Sequence, residues 1–285
     1  MHIDSRTQAL ITLLCDEDTA ISGHAMAEIL SLESDTDQNK LTDLLAELQE
    51  SKEPLIRKKV HQMQAIQRIR NRRRSFSRRL QSKSPNLLQG LGELHAIWYD
   101  DIDTKDLSKL WSDLLKETGK YRPVTPKRLA GAMKLAKFGL CEENIQDADL
   151  YCLGAILEDR IGSDVILAAI TLEIGRSFGL QGTIIRSNGH FGTMYTTKTK
   201  KPTPILNGII IMPSKSWEVT PLPEKNNIEI WTTKQVLKYV AAMLFVNSVC
   251  SEGPRYVQIL GACLTDEKIN KSLNNVLPPP FGNAV

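Results

Sequence analysis

The chain has 285 residues, which at roughly 100–200 residues per domain is enough for two domains or for one with additions. With 41% hydrophobic and 24% charged residues, its composition excludes collagen-like, mucin-like and wholly disordered proteins. The net charge of +3 conceals a segregation: positions 54–92 hold eleven Lys or Arg and no Asp or Glu, so the remainder carries −8 once those eleven charges are taken out.

The longest nearly unbroken apolar stretch, 165–174, is about half of the roughly 20 residues that a membrane-spanning helix needs. The opening Met1-His2-Ile3-Asp4-Ser5 lacks the basic start, apolar run and cleavage site of a secretory leader, so the expected compartment is the cytoplasm. Cys15, Cys141, Cys152, Cys250 and Cys263 are scattered and never form a C-x-x-C pair, which speaks against a disulfide framework or a zinc knuckle. The histidines show no H-E-x-x-H and no carboxylate at ligand spacing. No metal, no cofactor and no membrane association are expected.

In chain order, Leu13 and Leu14 lead through Asp16-Glu17-Asp18 into an apolar-periodic run of Ile21, Ala25, Ile29 and Leu30. A third run, Leu41, Leu44, Leu45 and Leu48, follows Asp35-Thr36-Asp37, a candidate cap. These read as short antiparallel helices resembling HEAT-like repeats, in which paired helices must stack to bury their apolar faces. Next, Ile56, Val60, Met63, Ile66 and Ile69 recur at helical spacing, which places the arginines on the opposite, wet face. Arg68, Arg72, Arg73, Arg74, Arg78 and Arg79 are therefore candidates for binding nucleic acid or an acidic partner. Ser75 and Ser77 beside them read as basophilic phosphorylation sites.

Helical patterning continues through residues 87–98 and 107–115, breaks at Arg122-Pro123, and restarts at Pro126, which suits a first helical turn. After Gly179 the texture changes. Residues 183–185, 191–195 and 205–212 are short, β-branched or aromatic, and bounded by turn residues, predicting three strands. Helices return at 236–249 and 256–264, and Pro278-Pro279-Pro280 marks a tail.

The densest stretch runs from 149 to 191. Gly162 reads as the end of one helix, Ser163 as the cap of the next, and Asp164 as an anion in its first turn, where the macrodipole favours it. That next helix is apolar nearly all round, hence buried in the middle of a domain, with Gly179 as its stop. Leu172-Glu173-Ile174-Gly175-Arg176, then Gly179-Leu180, then Gly189-His190-Phe191 together resemble the transglutaminase-like superfamily, specifically its bacterial SirB-type branch. The match covers about 75 residues, from roughly 138 to 212. The resemblance implies an α+β fold with a buried central helix against a small antiparallel sheet. It further implies a HEAT-like region over 1–85, the core over 86–222, a TPR-like C-terminal helical pair over 223–275 and a tail over 276–285.

In such folds a cysteine at the start of the central helix is activated by the helix end and by a strand histidine, which a third residue orients. Carried over residue by residue, the resemblance puts the nucleophile position at Asp164, the base at His190 and the orienting residue at Asn207. The sulfur is replaced by a carboxylate. The resemblance thus favours a non-catalytic or cryptic member, binding a protein or peptide through a cleft at Asp164 and His190. An amide-cleaving or acyl-transferring enzyme using His190 stays open, as does a nucleic-acid-associated adaptor using the basic helix. Ser163 reads as a cap, Glu173 and Arg176 as a structural ion pair, and Cys152 as a small buried hydrophobe.

Overall fold

The computed structural model describes residues 4–32, 38–99, 104–141, 147–196, 208–222, 228–251 and 253–265. Among them the chain is α+β, as expected, with contacts dividing it into a unit built on Met1–Arg72 and a unit spanning Arg73–Asp266.

The first unit is helical. Helix α1 (Ser5–Leu13) opens on Asp4, whose carboxylate accepts the Thr7 N–H at 2.6 Å, and α2 (Thr19–Ser31) opens on Asp18, which accepts from Ala20 at 2.8 Å. Each aspartate satisfies a donor that the first turn leaves without an intrahelical partner. Helix α3 (Gln38–Gln49) and α4 (Pro54–Gln81) follow. Leu14, Ile29, Leu41, Leu45, Val60 and Met63 are all but fully buried in one cluster, which matches the periodic runs. The candidate cap at 35–37 lies outside the described residues.

Helix α4 departs from the expected division into a packed and a wet face. Arg73 is buried. Arg79 clamps Glu93 with two bonds, Nε to Oε2 at 2.8 Å and Nη2 to Oε1 at 2.7 Å, while its Nη1 donates to Gln89 at 2.8 Å. Ser75 donates to the same Glu93 at 2.6 Å. Phe76 and Leu80 are buried beside them. The apolar stripe therefore continues past Ile69 and takes arginines with it; of the six candidate arginines, Arg68 and Arg78 are the exposed ones.

The second unit takes in the last turns of α4 from Arg73 onward and continues with α5 (Leu87–Trp98), α6 (Thr104–Gly119) and α7 (Pro126–Leu135), the last opening on Thr125 with Pro126 in its first turn. Strand β1 (Gly139–Leu140) makes a short parallel pair with β2 (Ile161–Gly162), and between them lie a 3-10 turn (Ala148–Tyr151) and α8 (Leu153–Asp159). Helix α8 thus ends before Gly162: Arg160 takes the left-handed conformation, φ 64°, and Gly162 sits in β2 tight against Ile156.

Helix α9 (Asp164–Ser177) is the buried helix, with ten of its residues between 165 and 175 out of solvent. It stops at Gly179 in a Schellman arrangement, Leu180 N–H donating to Gly175 and Gly179 N–H to Arg176. Strands β3 (Gly182–Ser187), β4 (His190–Thr196), β5 (Gly208–Met212), β6 (Glu218–Pro221) and β7 (Ile228–Trp231) form one antiparallel sheet in the order β6-β5-β4-β3-β7. Three of these strands match the sequence pattern; β6 and β7 were not expected. Because β7 lies beyond 222 yet pairs with β3, the sheet continues past the boundary expected there. Helices α10 (Thr233–Cys250) and α11 (Pro254–Leu264) close the unit, α10 opening on a capping box between Thr232 and Gln235. Among the described residues no helix is long and apolar enough to cross a membrane.

Two contacts seat α9 on the sheet. The buried Tyr195 hydroxyl donates to the Thr171 carbonyl at 3.0 Å, and Gly175 leaves room for that ring, since a Cβ there would stand 2.8 Å from the tyrosine oxygen. Gly175→Val should force the ring aside and cost about 1–3 kcal/mol, the usual penalty for overpacking; urea denaturation showing an unchanged midpoint would contradict this packing.

Candidate functional site

The site forms where α9 meets the first residues of β4. Asn188 and Gly189 both have positive φ, 51° and 85°, and connect Ser187 to its directly opposite partner His190. Two left-handed residues in a two-residue connection make a hairpin turn whose twist suits the flanking strands. His190 is consequently the first residue of β4, at the sheet's end and largely exposed, with 60% of its side chain in solvent.

Phe191 follows, opposite Arg186. In an antiparallel hairpin, alternate residues turn their N–H groups away from the partner strand. Phe191 is such a residue, and β5 cannot meet its N–H because β4–β5 pairing begins only at Thr193. Asp164 fills the gap. Its Oδ2 accepts the Phe191 N–H at 2.9 Å, and the same oxygen lies 3.5 Å from His190 Nδ1. The first distance is a full hydrogen bond and the second exceeds one, so Oδ2 is engaged by the backbone amide and the carboxylate meets the imidazole as a neighbouring charge.

Aromatic rings surround this pair. Phe191, Trp231 and Tyr239 pack mutually at centroid distances of 4.8, 5.1 and 5.6 Å, largely edge to face. Burial, then Tyr239, then the Asp164 charge push the Tyr151 phenol up to about 12. Tyr239 is raised by burial and then by Asp164, and lowered by Arg186, so acid, base, phenols and guanidinium share one electrostatic neighbourhood. The Arg186 guanidinium stands over the Phe191 and Trp231 rings at 5.5 and 5.8 Å. Beside it a pocket of about 260 Å³ is lined by Arg186, Asn188, Gly189 and Glu229.

Of the residues picked out in the sequence, Asp164 and His190 are thus brought together. Ser163 occupies the cap position, but its hydroxyl makes no capping bond and is buried without a partner. Glu173 and Arg176 form their ion pair at 2.6 Å near the other end of α9, about 14 Å from Asp164 at the helical rise per residue. Asn207 lies outside the described residues. The thiol of Cys152 is buried, and burial followed by Asp149 and Asp147 raises its pKa far above normal. Burial likewise pushes Cys263 up to about 12. Neither is a nucleophile at neutral pH. Among the described residues no group of three His, Cys, Asp or Glu side chains could hold a metal ion.

Arg186, Tyr151, Trp231 and Tyr239 were missed by sequence reasoning. A signal existed for one of them: Ile228-Glu229-Ile230-Trp231 alternates as a strand does. Chemically, the assembled groups can accept, donate and hold a charged ligand, whereas no activated nucleophile stands among them. No family model, no curated protein and no solved structure matches the chain.

Two outcomes follow from this geometry. Asp164→Ala leaves the Phe191 N–H without an acceptor and should destabilise the protein by about 1–3 kcal/mol, while Asp164→Asn, which keeps a carbonyl oxygen in reach, should cost much less; equal losses on denaturation would show that the amide bond is not what Asp164 provides. The tyrosines set an alkaline limit. With the Tyr151 pKa raised to about 12 in the folded state against about 10 in the unfolded chain, the unfolded state loses its proton first. Stability from this group is complete below pH about 10 and is lost as pH rises toward 12. Tyr99 and Tyr195, raised chiefly by burial, act in the same direction. Unfolding free energies that stay flat from pH 9 to 11.5 while phenolate absorbance grows would refute it.

Proposed function

We propose that this protein is a binding or scaffold module of the transglutaminase-like type, engaging a protein or peptide through the cleft at Asp164 and His190 without catalysing a reaction. Under this reading residues 86–222 are the core of that fold, extended by β7, with α1 to α3 and the start of α4 as HEAT-like units and α10 with α11 as a TPR-like pair. Its setting would be cytoplasmic. The supporting features are the buried helix seated on an antiparallel sheet, the histidine opening β4, and the position of the acid at the helix mouth.

One observation carries the non-catalytic part: Asp164 Oδ2 is held by the Phe191 N–H at 2.9 Å. Where a reacting fold of this kind keeps a thiolate free to attack, this chain keeps a carboxylate whose Oδ2 serves as a structural acceptor. Attack through Oδ1 would leave Oδ2 as an uncharged carbonyl, weakening the charge-assisted bond to the Phe191 N–H, and a carboxylate is a far poorer nucleophile toward an acyl group than a thiolate. The basic-helix alternative loses ground for a different reason, since Arg73 is buried and Arg79 is taken by Glu93.

The reading is tested with electrophilic acyl probes and a general thiol reagent on the native protein, followed by mass spectrometry. Cys250, the exposed thiol, should label at an ordinary rate that His190→Ala leaves unchanged, and Cys152 and Cys263 should label only on unfolding. A single cysteine or carboxylate that is acylated rapidly, and loses that reactivity in His190→Ala, would establish an enzyme in place of the scaffold.

A further inference from the structure

We infer that the pocket between Arg186 and Glu229, bounded by the hairpin that leads into His190, takes a carboxylate and that Arg186 is the residue that recognises it. The inference rests on the reading of the cleft as a binding site and adds to it the chemistry of the ligand.

Two other partly buried arginines of the second unit find carboxylates: Arg79 is forked onto Glu93 and Arg160 reaches Glu117 at 3.0 Å. Arg186 has no such partner among the described residues, although Glu229 is its directly opposite neighbour on β7. Glu229 instead accepts the Trp231 indole N–H at 3.2 Å. The Arg186 Nε is out of solvent and has no hydrogen-bond acceptor among the described residues. A buried donor left open costs stability, and a small shift of the guanidinium toward an acceptor held in the adjoining pocket would remove that cost.

The guanidinium is also preorganised. The two rings lie 5.5 and 5.8 Å from it and restrict the side chain, so binding loses less side-chain entropy, and the guanidinium fork suits a planar, two-oxygen acceptor. The pocket beside it is bounded by the hairpin residues Asn188 and Gly189 and by Glu229. Its walls carry one positive and one negative side chain. For a phosphate dianion the attraction to Arg186 and the repulsion from Glu229 both double relative to a carboxylate, so their partial cancellation remains, while the cost of stripping hydration rises with the square of the charge. The balance therefore selects carboxylate over phosphate. The same chemistry is offered by a small free acid and by a peptide's C-terminus.

The test uses the full chain with isotopically labelled arginine and histidine, following the Arg186 Nε–H resonance, which is assigned by its disappearance in Arg186→Lys, beside the His190 ring resonances. Titration with N-acetylglycine should shift that resonance saturably, and inorganic phosphate at pH 8 should bind more weakly. Arg186→Lys keeps the charge but not the fork and should bind N-acetylglycine about tenfold more weakly, with thermal melting confirming that the variant is folded. A short capped peptide with a free C-terminus, compared with its amidated twin, identifies the source: tighter binding of the free-acid peptide than of N-acetylglycine marks a peptide terminus, and equal binding marks small acids. No saturable shift, phosphate binding tighter than carboxylate, or undiminished binding by folded Arg186→Lys would overturn the assignment. Shifts confined to His190 would overturn it while leaving the cleft as a binding site. The His190-dependent acylation described above would sink the scaffold reading without altering the titration.

Discussion

A backbone N–H at the edge of a sheet must find an acceptor, and in this chain the acceptor comes from a helix. Strand β5 joins β4 only from Thr193 onward, so the outward N–H of Phe191 has no strand to meet; the carboxylate of Asp164 takes it at 2.9 Å. That single bond fixes the mouth of α9 against the start of β4. It can do so because α9 is held at its other end too, by the Schellman stop at Gly179 and by the Tyr195 to Thr171 bond across Gly175. The arrangement of the cleft follows: His190 beside the acid, the aromatic trio behind, Arg186 over two rings. Remove the acceptor and nothing else in the sheet replaces it.

Much of the architecture was legible because it is written in local periodicity. The apolar positions of the first unit, the Thr125-Pro126 helix start and the all-apolar character of α9 are short-range patterns, and they reappear as buried faces, a cap and a central helix. The pairing of Asp164 with His190 was also legible, though through resemblance; spacing alone does not bring residues 26 positions apart into contact. What escaped depends on partners distant in sequence. Strand β7 is four residues long and half exposed, so its alternation is brief, and only pairing with β3 makes it a strand. Arg186 looks like any polar residue in a strand until Phe191 and Trp231 are placed beneath it.

The basic helix shows the same limit from the side of charge. Eleven cations without one acid between positions 54 and 92 suggest a solvated face, and a periodic stripe of isoleucines supports that division. The stripe does not stop where the isoleucines stop. Phe76 and Leu80 extend it, and Arg73 lies on it. Glu93, one residue past the acid-free segment, receives Arg79 through two bonds and Ser75 through a third. Because those bonds join half-buried groups, they are worth more than exposed ion pairs, which contribute little. Part of the charge run is thus internal structure, and the surface available to a polyanion is smaller than the count suggests. Burial pulls the Arg73 pKa down, which is the expected cost of that position.

The aromatic wall beside Asp164 draws on the C-terminal segment. Tyr239 stands on α10 and Trp231 on β7, and both pack on Phe191, the residue whose amide Asp164 holds. Helix α10 and strand β7 are accordingly part of the site and not an appendage to it. Edge-to-face aromatic pairs contribute about 0.5–1.5 kcal/mol each beyond their buried area, so the two edge-to-face pairs and the tilted third hold the wall about as firmly as the hydrogen bond holds the floor. A ligand entering beside Arg186 would meet a surface already rigid on two sides. Preorganisation of this kind favours binding, because little order remains to be imposed. It disfavours an acyl-transfer reaction at Asp164, because acylating Oδ1 would remove the charge that strengthens the bond from Oδ2 to the Phe191 N–H.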